Sequence, residues 1–343
     1  MARSARTSPA EPILHRAARI EDTLHRWRER RGRRRGLVTT IIPYAGYGAP
    51  GWARVLCRVV LARGAAAPSR AEKVRGWRSF FSIPVDDEVI VRIGEAEHRV
   101  RPDRAGIIDA VIPTDLKPGW NTIVLNTEGT EPVTAGMFIV DPHAEFGIIS
   151  DVDDTVMVTA LPRPFLAAWN TFVLDEHARI PVAGMAVLYD RLARDNPGAP
   201  VIYLSTGAWN VAPTLGRFMG RNLYPRGPLL LTDWGPTHDR WFRSGQEHKR
   251  TSLERIAGEF PSMKWLLVGD DGQHDEEIYR GFAAAHPENV AAVAIRQLSP
   301  SEAVLAGGRS RAGDHHTSEV PWIYASDGAG IWDQLVAAGL LKT

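Results

Sequence analysis

Hydrophobic and polar positions divide the chain into stretches of different texture. Between residues 37 and 140 the apolar residues come in short runs rich in Val, Ile, Phe and Thr. These are Leu37 to Tyr44, Ala53 to Leu61, Phe80 to Ile83, Glu88 to Ile93, Gly106 to Ile112, Trp120 to Asn126 and Ala135 to Val140. Turn-forming clusters such as Tyr47-Gly48-Ala49-Pro50-Gly51 and Leu116-Lys117-Pro118-Gly119 separate them. Short runs between turn signals predict an antiparallel sandwich or barrel. From Asp141 the pattern changes. Wholly apolar runs (Phe146 to Ser150, Pro200 to Leu204, Leu229 to Leu231, Lys264 to Val268, Val290 to Ile295) now alternate with stretches of helical periodicity. The helical stretches are Gly184 to Asp195, Ala212 to Gly220, His248 to Phe260, Asp275 to His286 and Ile331 to Ala338. Strands apolar on both faces belong inside a parallel sheet covered by helices. The predicted organisation is an N-terminal arm (1–36), a β-rich sandwich-like domain (37–140) and an α/β domain with a doubly wound parallel sheet (141–343). Residues 307–320 read as a polar loop.

Composition narrows the class. Of 343 residues, 44% are hydrophobic and 24% charged, enough apolar material for a full core, which excludes wholesale disorder. No apolar run reaches the ~18–20 residues of a membrane span, and the Arg-rich start lacks the apolar stretch of a secretory signal. The single cysteine, Cys57, excludes an internal disulfide framework and a zinc–thiolate site. These features predict a soluble cytoplasmic protein, at most peripheral on the inner face of a membrane.

Charge is unevenly spread. Residues 1–40 hold eleven Arg and four acids, a net of +7, so the rest carries −6 against a whole-chain charge of +1. A basic arm on an acidic body suits a polyanionic partner, an anionic membrane surface before a nucleic acid, or is simply a solvated tail. Ile13, Leu14, Ile20 and Leu24 are spaced for a short amphipathic helix over residues 11–30. Trp77, Arg78, Arg92, Arg99 and Arg101 either line a binding face of the β-rich domain or are scattered surface residues.

The candidate chemistry lies at strand ends, where open α/β sheets bind ligands. The first α/β strand runs into Asp151-Val152-Asp153-Asp154-Thr155. On an extended backbone Asp151 and Asp153 would face one pocket, where two carboxylates repel unless a cation separates them or one is protonated. A helix cap would account for Asp154 or Thr155 alone. The second strand ends in Leu204-Ser205-Thr206-Gly207, whose hydroxyls and amides suit phosphate oxygens or an ordinary turn. The fourth ends in Val268-Gly269-Asp270-Asp271-Gly272-Gln273-His274-Asp275, a second carboxylate cluster. Oxygen ligands without Cys or clustered His favour Mg²⁺ over Zn²⁺. Gln246-Glu247-His248-Lys249-Arg250 places a lysine at a helix start, or is a solvated charge run.

The order Asp-x-Asp-x-Thr, Ser/Thr, Lys, Gly-Asp-Asp-x-x-x-Asp resembles the haloacid-dehalogenase-like phosphotransferase superfamily. Ile149-Ser150-Asp151-Val152-Asp153-Asp154-Thr155-Val156, Tyr203 to Trp209 and Gly269 to Tyr279 are similar to the phosphatidate phosphatases related to the yeast actin-patch enzyme. The resemblance covers about residues 143–343, and more weakly 37–140. Where that family has Ser-Asn-Ser-Pro-Trp, this chain has Ser205-Thr206-Gly207-Ala208-Trp209, which leaves substrate preference open.

The resemblance implies that Asp151 attacks phosphorus to form an aspartyl-phosphate, while Asp153 protonates the leaving alcohol and then deprotonates water. It implies Mg²⁺ held by Asp151, the Asp153 carbonyl, Asp270 and either Asp271 or Asp275, with Asp271 taken as ligand and Asp275 as outer contact or helix cap. Ser205 and Lys249 would hold the phosphoryl oxygens, helped by Thr206 and Gly207. Only about 45 residues separate Thr155 from Pro200 and about 43 separate Thr206 from Lys249, too few for a large lid once a helix is subtracted. An open site suits a bulky or interfacial phosphoester, and Phe165, Trp169, Phe172, Trp209, Trp234, Trp241 and Phe242 are aromatics that either meet lipid headgroups or pack in the core. The expected function is a Mg²⁺-dependent phosphatidate phosphatase. The alternatives are a phosphatase of soluble or nucleic-acid phosphate esters and a non-catalytic lipid-binding scaffold.

Overall fold

The structure, a computed structural model, describes residues 23, 25–63, 82–158, 180–232, 238–272, 274–306, 308 and 319–341, with backbone alone over 238–244. Most of the arm, most of the loop 307–320, and the side chains of Trp77, Arg78, Phe165, Trp169, Phe172, Trp234, Trp241 and Phe242 lie outside the described residues. Residues 25–34 form helix α1. A Cβ on Gly32 would lie 3.0–3.3 Å from side-chain carbons of Leu61, Ile83 and Leu37, so α1 lies closely against the sheet. Arg33 ties it down through Asp87 at 3.0 Å.

Nine strands follow: β1 (Leu37–Pro43), β2 (Gly46–Ala49), β3 (Gly51–Arg63), β4 (Ile83–Pro84), β5 (Val89–Ile93), β6 (Ala96–Val100), β7 (Ile107–Thr114), β8 (Gly119–Asn126) and β9 (Val133–Ile139). Their pairing is continuous, in the order β1-β3-β2-β9-β8-β5-β6, with β4 and β7 also joined to β3. The thirteen-residue β3 carries β1 and β7 along overlapping stretches. Alternation decides which side faces in: Val89, Val91 and Ile93 of β5 are buried while Ile90 and Arg92 between them are not. The inward residues, among them Val55, Cys57, Val59, Val91, Ile123, Leu125 and Met137, close on one core.

The α/β part contains a six-stranded sheet. Its strands are β10 (Phe146–Asp151), β13 (Val201–Ala208), β14 (Leu229–Thr232), β15 (Lys264–Asp270), β16 (Val290–Arg296) and β17 (Trp322–Ala325). Between them run a short β11 (Met157–Val158) and β12 (Ile180–Pro181), and the helices α2 (Met185–Asp195), α3 (Ala212–Arg221), α4 (His238–Glu259), α5 (Asp275–Ala285) and α6 (Pro300–Leu305). Helix α7 (Gly328–Ala337) comes last. The sheet order is β14-β13-β10-β15-β16-β17, and every neighbouring pair is parallel. The chain leaves central β10 towards one edge and returns on its other side at β15. The carboxyl end of β10 is therefore the topological switch point at which such sheets open a crevice. Burial of Ile148 and Ile149, Ile202 to Leu204 and Leu266 to Val268 accords with strands covered on both faces. The antiparallel pair β11–β12 follows the first motif, and the chain between its strands, 159–179, within the interval expected to be too short for a large lid, lies outside the described residues. Among the described residues no helix is long and apolar enough to cross a membrane.

The two parts meet across a packed join. The Tyr44 ring, just past β1, stacks on Trp209 (centroids 4.8 Å, 24° between planes), and its hydroxyl donates to the Trp209 carbonyl at 3.0 Å. Tyr47 donates to Glu259 at 2.8 Å; Arg54 bridges Glu259 and Asp109; Arg255 pairs with Asp109 at 2.8 Å. Arg226 lies over the Trp120 ring at 4.1 Å.

Candidate active site

Residues far apart in sequence converge at the carboxyl ends of β10, β13 and β15. Asp151 is the last residue of β10 and Asp270 the last of β15, its neighbour in the sheet. Lys249, on α4, reaches between two carboxylates: its Nζ lies 2.6 Å from Asp151 Oδ1 and 2.5 Å from Asp275 Oδ1. All four side chains are buried. Gly269 makes the approach of Asp275 feasible, because a Cβ there would sit 2.7 Å from its Oδ2. On the other side of β10, Ser205 Oγ donates to Asp153 Oδ2 at 2.9 Å and accepts the Gly207 amide at 2.9 Å.

The backbone turns tightly after Asp153. The amides of Val156 and Met157 both donate to the Val152 carbonyl, at 3.0 and 3.1 Å, and the Asp154 amide donates to Met157 at 2.8 Å. The result is a tight loop with Asp154 in the left-handed region, φ 59°. Asp153 itself, just before the turn, forms a β-bridge with Met157. The Asp154 carbonyl accepts from the buried Arg296 guanidinium at 2.8 Å, and the Val156 carbonyl from the Tyr224 hydroxyl at 2.7 Å. Sequence patterning missed Arg296: it ends an apolar strand with no motif around it, and only the β10–β16 placement shows what it holds.

Asp271 and Asp275 differ from their expected places. Asp271 turns towards β16: its amide donates to the Arg296 carbonyl at 2.9 Å and its Oδ1 accepts the Leu298 amide at 2.8 Å. Successive residues at a strand end point to opposite sides, so Asp270 faces the crevice and Asp271 faces away from it. Asp275 opens α5, whose cap residue is His274, and turns inward to Lys249 instead of capping the helix. Among the described residues, the acids of the site whose oxygens lie within 4.8 Å of one another are thus Asp151, Asp270 and Asp275. Thr206 and Gly207 follow Ser205 at the end of β13. The Gly207 amide is taken by Ser205, and both carbonyls accept from Thr232, at 2.9 and 3.2 Å.

The electrostatics follow from burial and crowding. Burial, then Asp275, Asp153 and Asp270, hold the Asp151 carboxyl well above its ordinary value against the opposing pull of Lys249. Burial, then Asp275 and Asp154, do the same to Asp270. Lys249 is buried, yet Asp151 and Asp275 keep it charged, raising its pKa. Three carboxyl groups thus crowd one ammonium in a buried site, and Asp275 Oδ2 is buried without a hydrogen-bond partner. This donor set, oxygen only, fits a hard divalent cation.

Residues 146–297 match the family model described as phosphatidate phosphatase APP1, catalytic domain. The chain is 30% identical over 195 residues to phosphatidate phosphatase APP1 of Saccharomyces cerevisiae, covering 55% of this chain and 32% of the yeast protein. It is 26% identical over 200 residues to an uncharacterized protein of Schizosaccharomyces pombe, covering 56% of this chain and 33% of that one. The chain thus spans about a third of the length of these relatives. Among solved structures, a carbohydrate acetylesterase from Xanthomonas citri aligns with a TM-score of 0.29 at 9% identity, over 79% of this chain and 73% of that one, too slight a likeness to bear on fold. The segment that carries the buried Asp151, Ser205, Lys249, Asp270 and Asp275 is the segment through which this chain is related to the catalytic domain of phosphatidate phosphatase APP1.

Proposed function

We propose that the protein is a Mg²⁺-dependent phosphatase of phosphatidate-like lipid phosphate monoesters, with Asp151 as nucleophile. The observation that carries this reading is the meeting of Asp151, Lys249, Asp270 and Asp275 at the switch point of the sheet, inside the segment related to APP1. Asp151, Asp270 and Asp275 would hold the cation, whose charge when bound offsets repulsion between Asp151 and an anionic phosphate. Lys249 keeps Asp151 oriented and supplies fixed positive charge where the phosphoryl group would sit. Attack by Asp151 displaces the lipid alcohol and leaves an aspartyl-phosphate. Asp153, oriented by Ser205, gives its proton to the departing oxygen and recovers one from the water that hydrolyses the acyl phosphate. On α1 the arginines Arg28, Arg30, Arg31 and Arg34 are exposed, as is Trp27, over whose ring Arg31 lies at 5.5 Å, a surface suited to peripheral contact with anionic lipid.

The test is phosphate release from phosphatidate in mixed micelles against a panel of soluble sugar, nucleotide and aryl phosphates, with and without chelator. Mg²⁺-dependent release from phosphatidate, abolished in Asp151→Asn, is expected. Release confined to the soluble panel would overturn the lipid assignment, and full activity of Asp151→Asn would overturn the covalent route.

A further inference from the structure

The nucleophile loop is held at its left-handed turn by a buried cation that lies outside every motif. Asp154 adopts φ 59°, a region that Asp and Asn enter more readily than other L residues. Its carbonyl accepts from Arg296 Nη1 at 2.8 Å. The same guanidinium donates through Nη2 to Glu302 at 2.7 Å and through Nε to the Ser326 carbonyl at 3.3 Å. Arg296 is only 6% exposed. Glu302 is itself fixed, since its carboxylate accepts the Ser299 amide and its amide donates to the Ser299 hydroxyl, closing a capping box at the start of α6. Arg296 also ends β16, where its carbonyl receives the Asp271 amide. The planar fork therefore has three acceptors on three separate elements, and one of them is the residue directly after Asp153.

We infer that Arg296 is a positioning residue for leaving-group protonation: by holding the Asp154 carbonyl, it sets the place of Asp153. This rests on the phosphatase reading above. A peptide bond links the two residues, so a turn released at the Asp154 carbonyl swings the Asp153 side chain away from Ser205 Oγ. Asp151, by contrast, is fixed in the ladder of β10 and by Lys249, both independent of Arg296. Loss of Arg296 thus separates two functions of one short loop. Nucleophilic attack is retained, and proton delivery is impaired.

That separation has a chemical readout. An alkyl phosphate such as phosphatidate leaves as a strongly basic alkoxide unless it is protonated, whereas p-nitrophenyl phosphate leaves as a stabilised phenolate with little need of an acid. Arg296→Met and Arg296→Lys are to be assayed on both esters, with Glu302→Gln as a control that keeps an acceptor for Nη2. General-acid catalysis is worth about 10²–10⁴-fold, so the arginine variants should lose about 100-fold or more in kcat/KM on phosphatidate but less than about fivefold in kcat/KM on the aryl ester, a ratio that reports phosphoryl transfer to Asp151 and not the later hydrolysis common to both esters. Lysine keeps the charge but cannot reach three acceptors, so it should not rescue. Glu302→Gln should stay within about threefold on both esters. Melting curves establish that each variant is folded at the assay temperature; if Arg296→Met is not, Arg296→Lys carries the test. Equal losses on the two esters would overturn the role of Arg296 and leave the phosphatase reading standing. No turnover of either ester by the wild-type chain would overturn that reading and this inference with it.

Discussion

Replacing Asp270 with Asn should make the cation-free protein more stable than wild type and the Mg²⁺-loaded protein less so. Asp270, Asp151 and Asp275 offer oxygens within 4.8 Å of one another. Two unit charges at that separation repel by about 3.5 kcal/mol at an effective dielectric of 20. Lys249 directly contacts Asp151 and Asp275, whereas Asp270 Oδ1 accepts the Gly272 amide at 2.6 Å, which an Asn oxygen can equally do. The Asp270 carboxyl is pushed well above its ordinary value by burial, Asp275 and Asp154. A carboxyl whose folded pKa exceeds its unfolded one supports the fold below the unfolded pKa and loses that support as pH rises. The advantage of Asn over Asp should therefore grow from about pH 4 towards neutrality. Protonation and relaxation absorb part of the repulsion, leaving about 1–3 kcal/mol, or roughly 2–6 °C in melting temperature. The assay is scanning calorimetry in chelator and in excess Mg²⁺. At a thousandfold excess over its Kd, the cation should stabilise wild type by about 4.1 kcal/mol, more than the advantage of a variant whose depleted site gains little, reversing their order. If Asp270→Asn melts below wild type in chelator, the three acids are not a repelling cluster and the reasoning fails.

Further outcomes follow from named contacts. Ser205→Ala removes the donor to Asp153 Oδ2 and should lower kcat by about 10–100-fold with the melting temperature nearly unchanged; initial rates on phosphatidate check it, and an undiminished kcat would remove Ser205 from the site. Burial pushes the Cys57 thiol up to about 12, so at pH 8 it should resist an aromatic disulfide reagent until denaturant is added, and prompt labelling of the native protein would contradict its place in the core. Tyr44→Phe forfeits the bond to the Trp209 carbonyl and should cost about 1 kcal/mol, whereas Tyr44→Ala also loses the stacked ring and should cost about 3 kcal/mol or more; urea unfolding midpoints compare them, and equal costs would mean that the stacking contributes nothing.

The α/β strands were legible because parallel central strands are apolar on both faces, a pattern that survives without knowledge of neighbours. The edge strand β17 was not, since Trp322 and Tyr324 are only partly buried and the four-residue run resembles a loop. In the β-rich part, β2 reads Gly-Tyr-Gly-Ala and looks like a turn. Its glycines instead permit close contact: a Cβ on Gly46 would lie 2.4 Å from the Arg54 carbonyl and one on Gly48 would lie 2.3 Å from that of Trp52. β6 (Ala96–Val100) was hidden by exposed polar residues, and the start of α4, ten residues before His248, by the lack of an apolar stripe there. Within the site, Asp151, Asp153, Ser205 and Asp270 were readable as polar residues where apolar runs stop, whereas Lys249, read at a helix start, lies well inside α4. The exchange of Asp271 for Asp275 was not, because it depends on which way the chain turns after Asp270. Arg296 was invisible for a related reason, its partner lying 142 positions away in sequence.

The contacts of Tyr44, Tyr47 and Arg54 with Trp209 and Glu259 mean that the compositional border near residue 140 is not a seam in the folded molecule. A fragment cut there would uncover the aromatic face of Trp209 a few residues beyond Ser205, and would strip Glu259 of its cation. Such a fragment, though it holds every side chain of the candidate site, should be sticky and sluggish, so dissection of this protein is better attempted by point substitution than by truncation.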